Sequence, residues 1–251
     1  MCGILGIRCK DTEIGGVIFE QLLRQSQIRG KHATGISYYE NDKIETETRP
    51  IPANSFADLV EMPESTYILG HTRYSTSNLM YNQPISNNKL SIAHNGVITQ
   101  EAPEKWEKHF GYDNLKTTND SELVLKCLSH DNVFNRKLLF TKFPTASIAC
   151  GVLKNKKMSC FRNNTRPLWI FESVICFGDE PAFTGFASTK DIIERTFKEF
   201  DSYFEVIIKE AKPFVEYVFE EDGTIKELKM TKPSIMTPDQ QKSTKIESKY
   251  V

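Results

Sequence analysis

The chain opens Met1-Cys2-Gly3-Ile4-Leu5-Gly6-Ile7-Arg8-Cys9, and the reading of this stretch decides the fold. Residues 2–9 read as a short apolar strand that begins almost at the terminus. Initiator methionine is normally cut off before a small residue such as cysteine, and removal of Met1 would leave Cys2 with a free α-amine. Such amines titrate near ~7.7–8.0 and thiols near ~8.5, so one residue would carry both a base and a strong nucleophile. Gly3 and Gly6 let other backbone approach closely there. The ordinary alternative is a cysteine at position 2 with no role, and the rest of the chain decides between the two.

Composition narrows the class. The chain has 251 residues, 39% hydrophobic and 26% charged, enough apolar material for a core and too much for a disordered chain. Lys+Arg 32 against Asp+Glu 33 leaves −1, so binding nucleic acid through bulk charge is not expected. No apolar run approaches the ~18 residues of a membrane helix, and the N-terminus lacks the pattern of a signal peptide. The expectation is a cytoplasmic protein without membrane contact. Cys127, Cys150, Cys160 and Cys176 sit in apolar strings without CxxC spacing. They read as small core residues in a reducing compartment rather than metal ligands, and neither metal nor cofactor is expected.

Along the chain, Gly15-Gly16 reads as a break, followed by a helical stripe from Val17 to Ile28 that stops at Arg29-Gly30. Residues 35–40 and 43–49 flank Asn41-Asp42 as a hairpin. A strand at 66–70 runs into the polar segment 71–77, and the alternating 89–94 ends at Asn95-Gly96, an ordinary turn signal. Asn119 with Glu122 three places on reads as a capping-box-like helix start. From 145 the texture is β-rich, with one helix near 191–200 and three closing strands. Residues 1–230 read as one domain, and 231–251 as a polar, flexible tail with a docking role as the alternative. Many strands with three or four helices suggest stacked layers of sheet and helix.

Six motifs recur in order: CGILGI at 2–7, RGKHATGI at 29–36, GHTRYST at 70–76, NQPI at 82–85, AHNGVIT at 93–99 and TTNDSE at 117–122, with RNNTRPL and FAST later. With them the chain resembles the class II glutamine amidotransferase (N-terminal-nucleophile) domains, notably the glutaminase halves of glutamine phosphoribosylpyrophosphate amidotransferase and of glucosamine-6-phosphate synthase. The resemblance covers roughly 1–190.

The resemblance implies an α+β fold, a four-layer αββα sandwich of two stacked, mainly antiparallel sheets. It implies that Cys2 attacks the side-chain amide of L-glutamine to give a γ-glutamyl thioester, its own α-amine moving the proton. Asn95 and the Gly96 N–H would form the oxyanion site. Arg73 would grip the substrate α-carboxylate with help from Thr76, and Asp120 the α-ammonium. Arg29 would brace the nucleophile. His94, like His71, would orient a loop rather than act as a base.

One departure stands out: the family motif RGxDxxG here reads Arg29-Gly30-Lys31-His32-Ala33-Thr34-Gly35. Nothing downstream resembles a phosphoribosyltransferase or a sugar isomerase. The expectation is therefore a stand-alone glutaminase component that passes ammonia to a separately encoded synthetase or modifying enzyme. The rival readings are a hydrolase of other γ-glutamyl amides and a non-catalytic regulatory subunit of the same fold.

Overall fold

The computed structural model describes residues 1–75, 81–129, 139–174, 176–177, 180–200 and 203–232, with the side chains of 176 and 177 excepted. Thr76 and, from residue 233 on, the polar C-terminal segment lie outside the described residues.

Two antiparallel sheets face each other. The first runs β13 (Val206–Glu210), β9 (Trp169–Ser173), β12 (Phe183–Ala187), β1 (Gly3–Cys9), β4 (Tyr67–Arg73), β2 (Ala33–Glu40), β3 (Lys43–Arg49). The second runs β15 (Ile225–Lys229), β14 (Val215–Phe219), β8 (Lys157–Arg162), β7 (Ser147–Lys154), β6 (Leu90–Val97), β5 (Ile85–Ser86). Two short strands, β10 (Cys176–Phe177) and β11 (Glu180–Pro181), form a separate ladder. The helices are α1 (Thr12–Ser26), α2 (Ala53–Leu59), α3 (Trp106–Phe110), α4 (Ser121–Ser129), α5 (Leu139–Lys142) and α6 (Lys190–Lys198).

Three cores separate four layers. Alternation along β1 sends Leu5, Ile7 and Cys9 toward Ile18, Phe19, Leu22 and Leu23 of α1 and Ile193 of α6. Ile4, on the other face, joins Leu69, Ala93, Ala149 and Phe186 between the sheets. On the far side, Leu123, Val124 and Leu128 of α4 pack on Ile92, Ile148 and Val152 of the second sheet. The order helix, sheet, sheet, helix is the α+β sandwich expected from the motifs.

Four local expectations change. Gly15-Gly16 lies inside α1, which starts at Thr12 behind an N-cap, Asp11, whose carboxylate accepts the Ile14 N–H at 3.0 Å. A Cβ on Gly15 would stand 2.8 Å from Cys9 Cβ, so this glycine admits close helix-on-strand packing rather than a break. Strand β4 continues through His71-Thr72-Arg73 because β1 and β2 pair it on both sides. Strand β6 runs straight through Asn95-Gly96 to Val97, held by Ala149, Ile148 and Ser147 of β7, so the turn signal is overridden by the ladder. Glu122 does not close a capping box: its carboxylate accepts the N–H groups of Lys116 and Thr117, at 2.7–3.0 Å, while Asn119 Oδ1 accepts from Ser121 N at 3.1 Å. The Asn41-Asp42 hairpin stands as read, both residues at positive φ (47° and 66°).

Candidate active site

Strand order brings one end of each sheet together. Cys2 precedes β1 at the centre of the first sheet, where Gly3 is paired with Thr72, so Arg73 ends the neighbouring strand beside it. In β6, Ser91 bonds across to Ser37 of β2 at 2.8 Å, whereas His94 bonds to Ser121 of α4. Period two therefore turns Asn95 toward the first sheet. Asp120 lies just ahead of α4. A cleft of ≈ 320 Å³ is lined by Cys2, Arg73, Gly96 and Asp120 together with Tyr74 and Trp106. Asn95 is not among the lining residues; it is 3% exposed, and its Nδ2 has no hydrogen-bond partner.

Cys2 is a half-buried free thiol with Sγ 3.9 Å from the Tyr74 carbonyl oxygen. The other described cysteines are different in kind. Cys9, Cys127, Cys150 and Cys160 are buried and form no disulfide. Burial pushes the Cys9 thiol up to about 11 and raises Cys127 and Cys160 as well, which keeps them protonated and unreactive. Arg29 Nε reaches the Cys2 carbonyl at 3.4 Å. Met1 is 61% exposed, and its sulfur accepts from Arg166 at 3.3 Å and from Arg29 at 3.8 Å.

Arg73 donates from Nη1 to Tyr81 O at 2.6 Å and Asn82 Oδ1 at 2.8 Å, which fixes the direction of the guanidinium. Burial draws its pKa down and the Cys2 thiol acts against that. Asp120 Oδ2 accepts the Ile98 N–H at 2.6 Å and the Thr99 N–H at 3.4 Å, which ties the acid to the end of β6. Gly96 has φ +153°, and a Cβ there would collide with the Ser147 carbonyl, so no other residue fits.

The two central histidines are not placed as bases. His94 is buried, with Nε2 3.2 Å from Ser147 O and Nδ1 2.8 Å from Ser121 Oγ. The carbonyl can only accept, so Nε2 carries the proton and Nδ1 accepts from the serine hydroxyl. Burial lowers its pKa, which keeps it neutral. Gln83 completes the network: its Oε1 accepts His94 N at 2.7 Å and its Nε2 donates to Ser121 Oγ at 3.1 Å. Burial, with Arg73 and His94 adding to it, pushes His71 down to about 3. Its ring nitrogens make no hydrogen bond of normal geometry, and a weaker interaction with the His94 backbone opposes the shift.

Of the residues singled out in the sequence, the structure brings Cys2, Arg73, Gly96 and Asp120 to one cleft; Gln83, Ser121 and Ser147 have no role in that reading. Their signal was present only as position: Gln83 in NQPI, Ser121 in TTNDSE. Among the described residues no group of three or more His, Cys, Asp or Glu is arranged to hold a metal ion, and no helix is long and apolar enough to cross a membrane.

No family model matches the chain. The amidophosphoribosyltransferase of Methanothermobacter thermautotrophicus is 30% identical over 142 residues, 52% of this chain and 30% of that protein. The structure of glutamine phosphoribosylpyrophosphate amidotransferase from B. subtilis superposes with TM-score 0.66 at 17% identity, covering 92% of this chain and 49% of that one. A glutamine aminotransferase class-II domain protein from Silicibacter pomeroyi superposes with TM-score 0.56 at 13% identity, over 92% of this chain and 100% of that one. The chain thus spans about half the length of the B. subtilis structure, and its match covers under a third of the curated relative. Motifs, layered sheets and these likenesses agree: the chain is similar to the amidophosphoribosyltransferases in sequence and has the layered fold of the class II glutamine amidotransferase domains.

Proposed function

We propose that residues 1–230 form a glutaminase that hydrolyses L-glutamine and hands the ammonia to an acceptor site on a partner protein. The observation that carries this reading is the cleft shared by Cys2, Arg73, Gly96 and Asp120, with the buried, unpartnered amide of Asn95 next to Gly96 in the chain. The mature form begins at Cys2, since its nitrogen can serve as a base only once Met1 is gone.

The substrate's charged ends fit the two handles. The Arg73 guanidinium takes the α-carboxylate as a planar fork. Asp120 takes the α-ammonium; its Oδ2 is held by backbone, and Oδ1 has no partner among the described residues. The carboxamide then lies toward Cys2. Sγ adds to its carbon while the α-amine removes the thiol proton. The oxyanion is held by Asn95 Nδ2 and the Gly96 N–H. Collapse breaks the C–N bond, the proton leaves with ammonia, and a γ-glutamyl thioester remains. Water, activated by the same amine, cleaves the thioester to glutamate. In water at neutral pH free ammonia becomes ammonium and stops being a nucleophile, which is why a shielded route to a partner belongs to the proposal.

Intact mass should show the chain lighter by one methionine residue. Glutamate release from glutamine, alone or with a captured partner, should be abolished in Cys2→Ala. Unchanged turnover in that variant refutes the reading. Turnover of γ-glutamyl amides but not of free glutamine would transfer the site to the other substrate class.

A further inference from the structure

The cleft wall beside the nucleophile is the backbone just after β4, and it is held from outside the cleft. The turn from Arg29 to His32 lies against it so closely that a Cβ on Gly30 would fall on the Arg73 and Tyr74 backbone. From that turn His32 makes three contacts. Its N–H donates to Arg73 O at 3.0 Å, its ring lies 5.0 Å from the Tyr74 ring, and its Nδ1 accepts the Ser75 N–H at 2.9 Å. The Tyr74 carbonyl between these anchored points lies 3.9 Å from the Cys2 Sγ.

We infer that His32 is a positioning residue for the nucleophile's pocket: by accepting the Ser75 amide it keeps the Arg73–Ser75 segment against Cys2. The inference rests on the reading of Cys2 as nucleophile and Arg73 as carboxylate grip. The acceptor atom is what matters. Nδ1 of histidine and Oδ1 of asparagine or aspartate all stand one bond from Cγ, so each can meet the same amide without moving the backbone. This accounts for a histidine at the place that reads Asp in RGxDxxG.

The test uses the full chain with His32→Leu, His32→Asn and His32→Asp. Three readouts are taken: amide hydrogen exchange of Ser75 by NMR, the alkylation rate of Cys2 by iodoacetamide, and kcat and KM for glutamine. Loss of one such hydrogen bond corresponds to about threefold to tenfold in the populations involved. His32→Leu should speed Ser75 exchange by that order, change Cys2 alkylation, and raise KM more than it lowers kcat. Asn and Asp should both return the values to within about twofold of the wild type, by the same bond. Unchanged Ser75 exchange in His32→Leu overturns the inference, and so does an Asn variant that behaves like Leu. If the wild type turns over no glutamine, the glutaminase reading fails. The exchange and alkylation readouts still decide the role of His32.

Discussion

At the scale of single residues, the site separates what the fold needs from what the chemistry needs. Asn95 is the clearest case. Its buried Nδ2 has no partner, a cost of about 1–3 kcal/mol to the fold. Asn95→Leu should therefore leave stability unchanged or raise it, while kcat falls about 10²–10³-fold through loss of an oxyanion donor. A thermal melt beside a rate measurement checks both; a destabilised variant with normal turnover would make Asn95 a structural residue. Asp120 is the converse, because Oδ2 also holds two backbone amides. Asp120→Asn keeps an acceptor for those amides and removes only the charge. KM for glutamine should rise about ten- to a hundredfold, with the melting temperature nearly preserved. Asp120→Ala should lose both. The candidates themselves were legible in the sequence, because motif order and the resemblance point to these positions. The burial of Asn95 was not, since it depends on which face of β6 meets the other sheet.

At the scale of elements, two adjacent glycines with one sequence signal have different physical reasons. Gly15 stands where α1 crosses β1, and a methyl there meets Cys9 Cβ. The nearest atom to a methyl on Gly16 would be Met62 Cβ at 3.7 Å, an ordinary contact. Gly16→Ala should therefore stabilise the protein by up to about 1 kcal/mol through helix propensity. Gly15→Ala should destabilise it by about 1–3 kcal/mol through overpacking. Equilibrium denaturation of the two variants decides, and equal effects would refute the packing account. The same pair shows what a linear reading misses. Glycines in sequence suggest a break, and only the neighbouring strand reveals that one of them serves close approach. Asn95-Gly96 teaches the same lesson in a strand: local turn preference yields to a ladder on β7, and the positive φ of Gly96 brings its backbone against the Ser147 carbonyl. Periodic segments such as β1, β7 and α6 were legible because their apolar pattern needs no partner to be read. The bonds from Glu122 to residues 116 and 117 were not, because they bridge a loop without periodicity.

At the scale of the whole molecule, the site exists only where the two sheets meet, since Cys2 and Arg73 come from one and Asn95 and Gly96 from the other. That junction buries two neutral imidazoles, and they should leave a signature in stability against pH. His71 is held down to about 3 and His94 is also lowered, each first by burial. In the unfolded chain both take up a proton near ~6.5. Above that pH neither state is protonated and the contribution to stability is fully present. As pH falls below ~6.5 the unfolded state binds more protons, so stability drops, by about 1.4 kcal/mol per pH unit for each fully titrating group. For His71 the loss continues until pH approaches its folded value. His71→Leu removes one such group, and its ring nitrogens make no hydrogen bond of normal geometry, only a weaker interaction with the His94 backbone. Between about pH 6 and 4 the variant's stability should therefore fall less steeply than that of the wild type, by about 1.4 kcal/mol per pH unit. Urea denaturation across that range measures the two slopes. Parallel slopes would mean that His71 is protonated within the fold, and that the space between the sheets is more polar than its packing implies.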